Sequence, residues 1–301
     1  MNDFDSLVRQ FQAITPRKKV VVVCPDDEPT LGVIHRCLRD HLVQLELVAR
    51  ADRADAARAI AQAHPEDVTL TVTADAAEAA INAVKMVHDH RADVILKGNI
   101  NTDVLLHPVL NKEYGLLPKG KVLSHVALAQ VPGYGRLIMF SDAAVIPELN
   151  LEQLDAVIRY DVELWKRLGN DHPAVALIHF TEKFNPKFVI TTYYKELLDR
   201  ASRHEYGEGV VMGGPMDVKS ACDAHAAAIK GIESPVVGKA DILVFPTLVA
   251  ANTFYKTLAL FAHADLAAML TGTMVPIVVP SRADSDESKF YSLALACVAA
   301  R

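Results

Sequence analysis

The sequence predicts an α/β fold: a parallel sheet covered by helices on both faces. Three observations predict it. Short runs rich in β-branched residues alternate with longer runs of helical character. Several of the short runs, such as the VVVV of "KVVVVC", are continuous apolar stretches, as strands buried on both faces must be. The segments between them are rich in alanine, as in "ADAAEAAINAVKMVHDH". With right-handed crossovers this pattern builds three layers, α/β/α.

Four strand patterns open the chain: "KVVVVC" (19–24), "LVQLELV" (42–48), "DVTLTVT" (67–73) and "ADVILKGN" (92–99). After a break, "RLIMFSDAAV" reads as a strand running into a polar turn. "PELNLEQLDAVIRYDVELWKRLG" then reads as a helix capped by Asn150 and stopped by Gly169. Further strands follow in "AVALIHF", "GVVMGG" and "DILVFP". A junction near 142–150 divides the chain. Residues 1–143 with 270–301 are expected to form one α/β domain, the last strand and helix returning to it, and residues 144–269 a second.

The 301 residues allow one large or two medium domains with ample core. With 51% hydrophobic and 23% charged residues the composition is that of an ordinary globular protein. A net charge of -6 argues against a general nucleic-acid binder. Cys24, Cys37, Cys222 and Cys297 form no CxxC pair, and no Cys/His cluster has zinc-ligand spacing. Neither a disulfide framework nor a metal site is expected. There is no apolar signal core and no run long enough to span a bilayer, so a cytoplasmic protein is expected.

In parallel α/β sheets ligands bind at the carboxyl ends of strands. That rule selects six turns: "KGNINTD", "FSDAAV", "HFTEKFNPK", "GGPMDVKSA", "FPTLVAAN" and "PSRADSDES". In "KGNINTD", Lys97 supplies charge, Gly98 allows close backbone approach, and Thr102 stands near a helix start that offers N–H groups to an anion. An ordinary βα turn capped by Thr102 explains the same residues. In "GRLIMFSDAAV", Arg136 precedes a strand and Ser141 and Asp142 follow it. Arg136 reads either as a fork for phosphate or as a surface arginine, and Asp142 as a helix cap. "EKFNPK" holds Asn185 and Lys187 in a loop pinned by Pro186. "PSRADSDES" begins with Ser281 and Arg282. Asp284 and Glu287 then have capping-box spacing. The acids suit a helix start, while Ser281 and Arg282 ahead of it suit an anion or carbonyl contact. No GxSxG elbow, P-loop or GxGxxG turn occurs.

The turns resemble those of the phosphate acetyltransferase and phosphate butyryltransferase family, with the butyryltransferase branch nearest. The matching stretches are "KGNINTDVLLHPVLNKEYGL", "GKVLSHVALAQVP", "FSDAAV", "EKFNPK", "KGIESPVVGKADILVFPTLVAANTFYK" and "VPIVVPSRADSDESKFYSLALA". The resemblance implies two α/β domains with a cleft between them, a fold similar to isocitrate and isopropylmalate dehydrogenases, and a homodimer. It implies reversible transfer of a short-chain acyl group between coenzyme A and inorganic phosphate, with coenzyme A as substrate and no cofactor for the chemistry. By motif, Ser281 would polarise or orient the carbonyl or thiol, and Arg282 would bind phosphoryl or coenzyme A phosphate groups. Arg136 would be a second phosphate contact. Ser124, Asn252 and the Gly214-Pro215 turn would line the cleft.

Departures from the family pattern are specific. His107 stands where the family has arginine, exchanging a permanent fork for a titratable contact. Lys219 stands where an aspartate is expected, and Val249 and Ala251 are unusual in "LVAAN". Ser288 occupies the position where the acetyltransferase branch keeps an acid near the thiol, which leaves Asp284 and Asp286 as substitute bases. Two other readings fit the sequence: a diverged protein that binds coenzyme A or acyl phosphate with little turnover, and a dehydrogenase on the related fold.

Overall fold

The computed structural model describes residues 3–281 and 284–300. The elements run α1 (Phe4–Gln12), β1 (Lys18–Val23), α2 (Glu28–Arg39), β2 (Val43–Arg50), α3 (Asp55–Ala63), β3 (Val68–Thr73), α4 (Ala76–His88), β4 (Val94–Lys97) and α5 (Thr102–Val109). Next come β5 (Ser124–Gln130), β6 (Leu137–Ser141), α6 (Leu151–Arg167), β7 (Ala174–Ile178), α7 (Val189–Ser202), β8 (Val211–Met216), α8 (Val218–Cys222) and α9 (Ala224–Lys230). The chain closes with β9 (Ile242–Val244), α10 (Leu248–Phe261), β10 (Asp265–Thr271), β11 (Ile277–Val278) and α11 (Asp286–Ala299).

The chain divides into two compact units, Phe4–Lys121 with the residues from Ala267 onward, and Val122–Leu266. The boundary therefore lies earlier than the expected 143. The reason is strand pairing: β5 pairs with β6, and β6 with β9, which draws residues 122–143 into the second unit.

In the first unit the strand order is β3-β2-β1-β4-β11-β10. Val20, Val21, Val22 and Val23 of β1 are all fully buried. Successive side chains of a strand point to opposite faces, so both faces are covered. One helix group joins α4 to α5 and lays α4 across β1, β2 and β3; another joins α11 to α1 and α2 and lays α11 on β4 and β11. Phe4 stacks on Tyr291 at 4.5 Å, fastening the first helix to the last. In the second unit the order is β5-β6-β9-β7-β8. Here α6 starts at a capping box: the Asn150 side chain accepts from the Gln153 N–H, and the Gln153 side chain accepts from the Asn150 N–H. Asn150 thus caps α6 as its sequence predicts.

The sheet is not wholly parallel. β5 and β6 are antiparallel, as are β10 and β11. Their connections are too short to be crossovers, spanning only 131–136 and 272–276. Gly133, Gly135 and Gly272 adopt positive φ there (79°, 80° and 89°), which supplies the tight reversals. The apolar runs signalled burial on both faces; the loop lengths set the direction.

Candidate active site

β4 lies between β1 and β11, parallel to both, with Lys97 level with Val23 and Leu96 level with Val278. The carboxyl ends of three strands therefore open on one place. The residues at and beyond those ends are Asp27, the pair Lys97 and Gly98, and the pair Pro280 and Ser281. With Lys289 from α11 they line a cavity of about 230 Å³. Three segments widely separated in sequence meet because the last strand inserts beside β4.

Gly98 is fixed by close backbone approach. A Cβ there would stand 2.3 Å from the Cys24 carbonyl oxygen and 2.8 Å from that of Val23. The backbone N–H groups of Gly98 and Asn99 donate to these same carbonyls at 2.9 and 2.8 Å. Gly98→Ala is expected to break this junction, destabilising by about 3 kcal/mol, the upper part of the usual range for a single mutation. Chemical denaturation would show the loss as a lower midpoint at unchanged slope. A wild-type midpoint would mean that the β1 and β4 termini can part without strain.

Lys97 is 5% exposed, and its Nζ donates to the Gly98 carbonyl at 3.3 Å. Ser281 has its backbone N–H donated to Asp284 Oδ2 at 2.7 Å. This corrects one reading of Asp284: it is not the helix cap, since Ser285 caps α11 by accepting from the Ser288 N–H. Its carboxylate instead positions the Ser281 backbone. Glu287, expected in the capping box, instead pairs with Arg36 at 2.8 Å. Arg282 lies outside the described residues.

Thr102 is the first residue of α5 rather than its cap; the cap position is Asn101, so the capping role expected of Thr102 is not taken up. Thr102 and His107 are both exposed on α5. Cys24 lies at the same strand ends, but burial pushes its thiol up to about 11, which keeps it protonated at neutral pH.

Two residues of this cavity were not selected from the sequence. Lys289 falls on the apolar face of α11, with Phe290 and Leu293 buried beside it. Asp27 caps α2: its Oδ1 accepts from the Thr30 N–H at 3.1 Å and the Thr30 hydroxyl at 2.9 Å. Lys289 Nζ donates to the same oxygen at 3.0 Å. Burial alone would raise the Asp27 carboxyl, but the hydrogen bonds from Thr30 and Lys289 outweigh it and hold the group below the usual carboxylate range. The available signal was a charged residue at a core position of a helix.

In the second unit Asp142, at the carboxyl end of β6, is a hub. Its Oδ2 accepts from the Ser124 hydroxyl at 2.9 Å and the His125 N–H at 3.0 Å. Its Oδ1 accepts from the N–H groups of Ala144 and Val145 at 2.9 and 2.8 Å. Ser124 reaches it because β5 runs antiparallel to β6, so the start of one lies beside the end of the other. Asn252 donates to the Ala143 carbonyl at 3.0 Å, and the Ser141 hydroxyl to Asp161 Oδ1 at 2.9 Å. Ser124, Ser141, Asp142 and Asn252 thus come together, and the hydrogen bonds named here tie the turn itself.

The other nominated residues do not join this group. Arg136 stands at the amino end of β6, where its guanidinium donates to the Ala240 carbonyl at 2.9 Å and lies 3.9 Å from Asp241. Asn185 closes a turn by accepting from the Lys187 N–H at 3.0 Å, and Lys187 is exposed. Gly214 and Pro215 lie inside β8, not in a turn. A Cβ on Gly214 would meet the Leu177 carbonyl oxygen at 2.6 Å, so the glycine serves strand packing.

Asp161 is an unexpected ionisable residue on the apolar stripe of α6. It is 1% exposed, and its Oδ2 is buried without a partner among the described residues. Burial pushes its carboxyl well above the ordinary 3.8, against the Ser141 hydrogen bond and with the charge of Asp142 adding to the rise. A folded-state value above the unfolded one means that stability is full below about pH 4 and declines as pH rises through the folded value. Asp161→Asn removes that decline. Its melting temperature relative to wild type is expected to be higher at about pH 7.5 than at about pH 4.5. An equal offset at both pH values would show that Asp161 stays ionised in the folded protein.

Among the described residues no helix is long and apolar enough to cross a membrane, and no group of three or more His, Cys, Asp or Glu is placed to hold a metal ion.

Residues 53–297 match the family described as "Phosphate acetyl/butaryl transferase". The chain belongs to this family. It is 35% identical to a probable phosphate butyryltransferase of Bacillus subtilis, over 95% of each chain. It is 34% identical to a phosphate acetyltransferase of Thermotoga maritima, over 93% of this chain and 95% of that one. A branched-chain phosphotransacylase from Enterococcus faecalis has a similar structure, with TM-score 0.80 and 30% identity over 94% of this chain and 98% of that one. As a member of the phosphate acetyl/butyryltransferase family the protein is a phosphate acyltransferase, and the family's substrates are linked to coenzyme A.

Proposed function

We propose that this phosphate acyltransferase prefers a short-chain, butyryl-like acyl group. The reaction is acyl-CoA plus phosphate to acyl phosphate plus coenzyme A, and it runs in a homodimer with no cofactor. The observation that carries the catalytic part is the cavity that holds Ser281 beside Lys97 at the carboxyl ends of β1, β4 and β11.

In one direction a phosphate oxygen attacks the thioester carbonyl. The C–O bond forms, the C–S bond breaks, and coenzyme A leaves as thiolate to be protonated. The reverse reaction needs a thiolate that attacks the acyl-phosphate carbonyl and expels phosphate. Both directions pass through a tetrahedral centre carrying an oxyanion. The Ser281 hydroxyl is suited to donate to that oxygen, because Asp284 fixes the Ser281 backbone. Lys97 and Arg282 supply positive charge to phosphoryl oxygens.

Overall identity does not separate the acyl groups, since butyryl and acetyl relatives stand at 35% and 34%. Ser288 does favour one branch: the acid that the acetyltransferase pattern keeps there is absent. The test supplies the enzyme with acetyl-, propionyl-, butyryl- and isovaleryl-CoA plus phosphate and follows free thiol. kcat/KM is expected to peak at butyryl-CoA. A peak at acetyl-CoA overturns the chain-length preference. Light scattering on the eluting protein tests the homodimer.

A further inference from the structure

We propose that Lys289, held in place by Asp27, binds the transferred phosphate in the Ser281 cavity, a role assigned until now only to residues of the strand-end turns. The inference rests on the acyl-transfer reading above and adds a second buried cation to it.

The Lys289 side chain is 6% exposed. An ammonium is rarely buried without a partner, and Asp27 Oδ1 is that partner at 3.0 Å. Among the described residues the pairing is incomplete. An ammonium has three N–H donors, and Asp27 takes one of them. Asp27 Oδ1 is meanwhile shared with the backbone N–H and hydroxyl of Thr30. Lys97 and Lys289 both line the cavity, and among its described lining residues Asp27 is the one carboxylate. A space of about 230 Å³ lined by Lys97, Lys289, Asp27 and Ser281 suits a small oxyanion.

A pair that served only to join α11 to α2 would have no reason to sit in a cavity wall. Apolar side chains would join the helices without desolvating two charges. Asp27 is better understood as a positioning residue: fixed by the helix cap it makes, it holds Lys289 at the cavity. The transferred phosphate, rather than the phosphates of coenzyme A, is the ligand because Ser281 acts at the carbonyl and the phosphoryl group of an acyl phosphate is attached to that carbonyl.

The test uses full-length Lys289→Met, which keeps the length of the stem, and Lys289→Arg. With butyryl-CoA as acyl donor, KM for phosphate is expected to rise about ten- to a hundredfold in Lys289→Met, the loss of one charge-assisted hydrogen bond. KM for butyryl-CoA should stay near wild type, and Lys289→Arg should recover much of the phosphate affinity. A second readout needs no turnover: inorganic phosphate should raise the melting temperature of the wild type and fail to raise that of Lys289→Met. If Lys289→Met does not fold, Asp27→Asn replaces it and should also raise KM for phosphate. Unchanged phosphate KM with a lowered melting temperature makes Lys289 a structural tie and overturns the proposal. A rise in KM for butyryl-CoA alone also overturns it, by assigning Lys289 to coenzyme A. If wild type releases no thiol with any acyl-CoA, the acyl-transfer reading fails. A phosphate-dependent rise in melting temperature that Lys289→Met abolishes would still support the anion site.

Discussion

Ser281→Ala is expected to lower kcat for phosphate-dependent thiol release by about a hundredfold, the loss usual for one donor to a developing oxyanion. The hydroxyl is assigned to an interaction made in the transition state, so KM for phosphate should change little and kcat should fall with kcat/KM. The backbone at this position is held independently of the hydroxyl, by the hydrogen bond from the Ser281 N–H to Asp284. The variant should therefore fold, and its melting temperature should stay near that of wild type. Steady-state kinetics with butyryl-CoA and phosphate, each varied in turn, check this. A kcat within a few fold of wild type would remove Ser281 from the chemistry.

Asp142→Asn is expected to be the most destabilising single polar substitution in the Val122–Leu266 unit. The carboxylate of Asp142, a fully buried residue, accepts four hydrogen bonds, from the Ser124 hydroxyl and the N–H groups of His125, Ala144 and Val145. Asparagine keeps the shape and one acceptor oxygen. Its NH2 group, however, must face two of those donors. Leaving buried donors unsatisfied costs about 1–3 kcal/mol each, so a loss on the order of 4 kcal/mol follows. For a unit of this size that corresponds to a fall on the order of 10 °C in melting temperature. Calorimetry resolves such a shift easily. A shift of only a degree or two would mean that water or a local rearrangement satisfies these groups.

The strand-end rule selected turns from both units, and the residues within them divide by how local their roles are. Gly98 was legible because a glycine straight after an apolar strand signals close backbone approach, and two carbonyls do crowd it. Asn150 was legible because its cap is local. Arg136 was not, because sequence does not reveal which end of a strand faces a ligand once an antiparallel hairpin enters the sheet. Asp284 was placed one residue away from the true cap, a small error that hid its bond to Ser281. Asp27 and Lys289 lie 262 positions apart, and only the insertion of β11 beside β4 brings them together. Their signal was present all the same, as a charge on the buried face of α11. Asp161 gives the same signal on α6. A charged residue at a core position of a helix is therefore a useful marker for this chain even where no turn motif points to it.

The late return of β11 also affects how the chain matures. Ribosomes make the β1 and β4 segments before the whole Val122–Leu266 unit, while the strand that pairs with β4 is made after it. Until then β4 presents an unpaired edge, a template for association with other nascent chains. Premature termination anywhere before Ile277 would leave that edge permanently open and would also remove Ser281 and Lys289. The cavity thus depends on that late strand, since a product cut short before Ile277 lacks both the strand that covers β4 and Ser281.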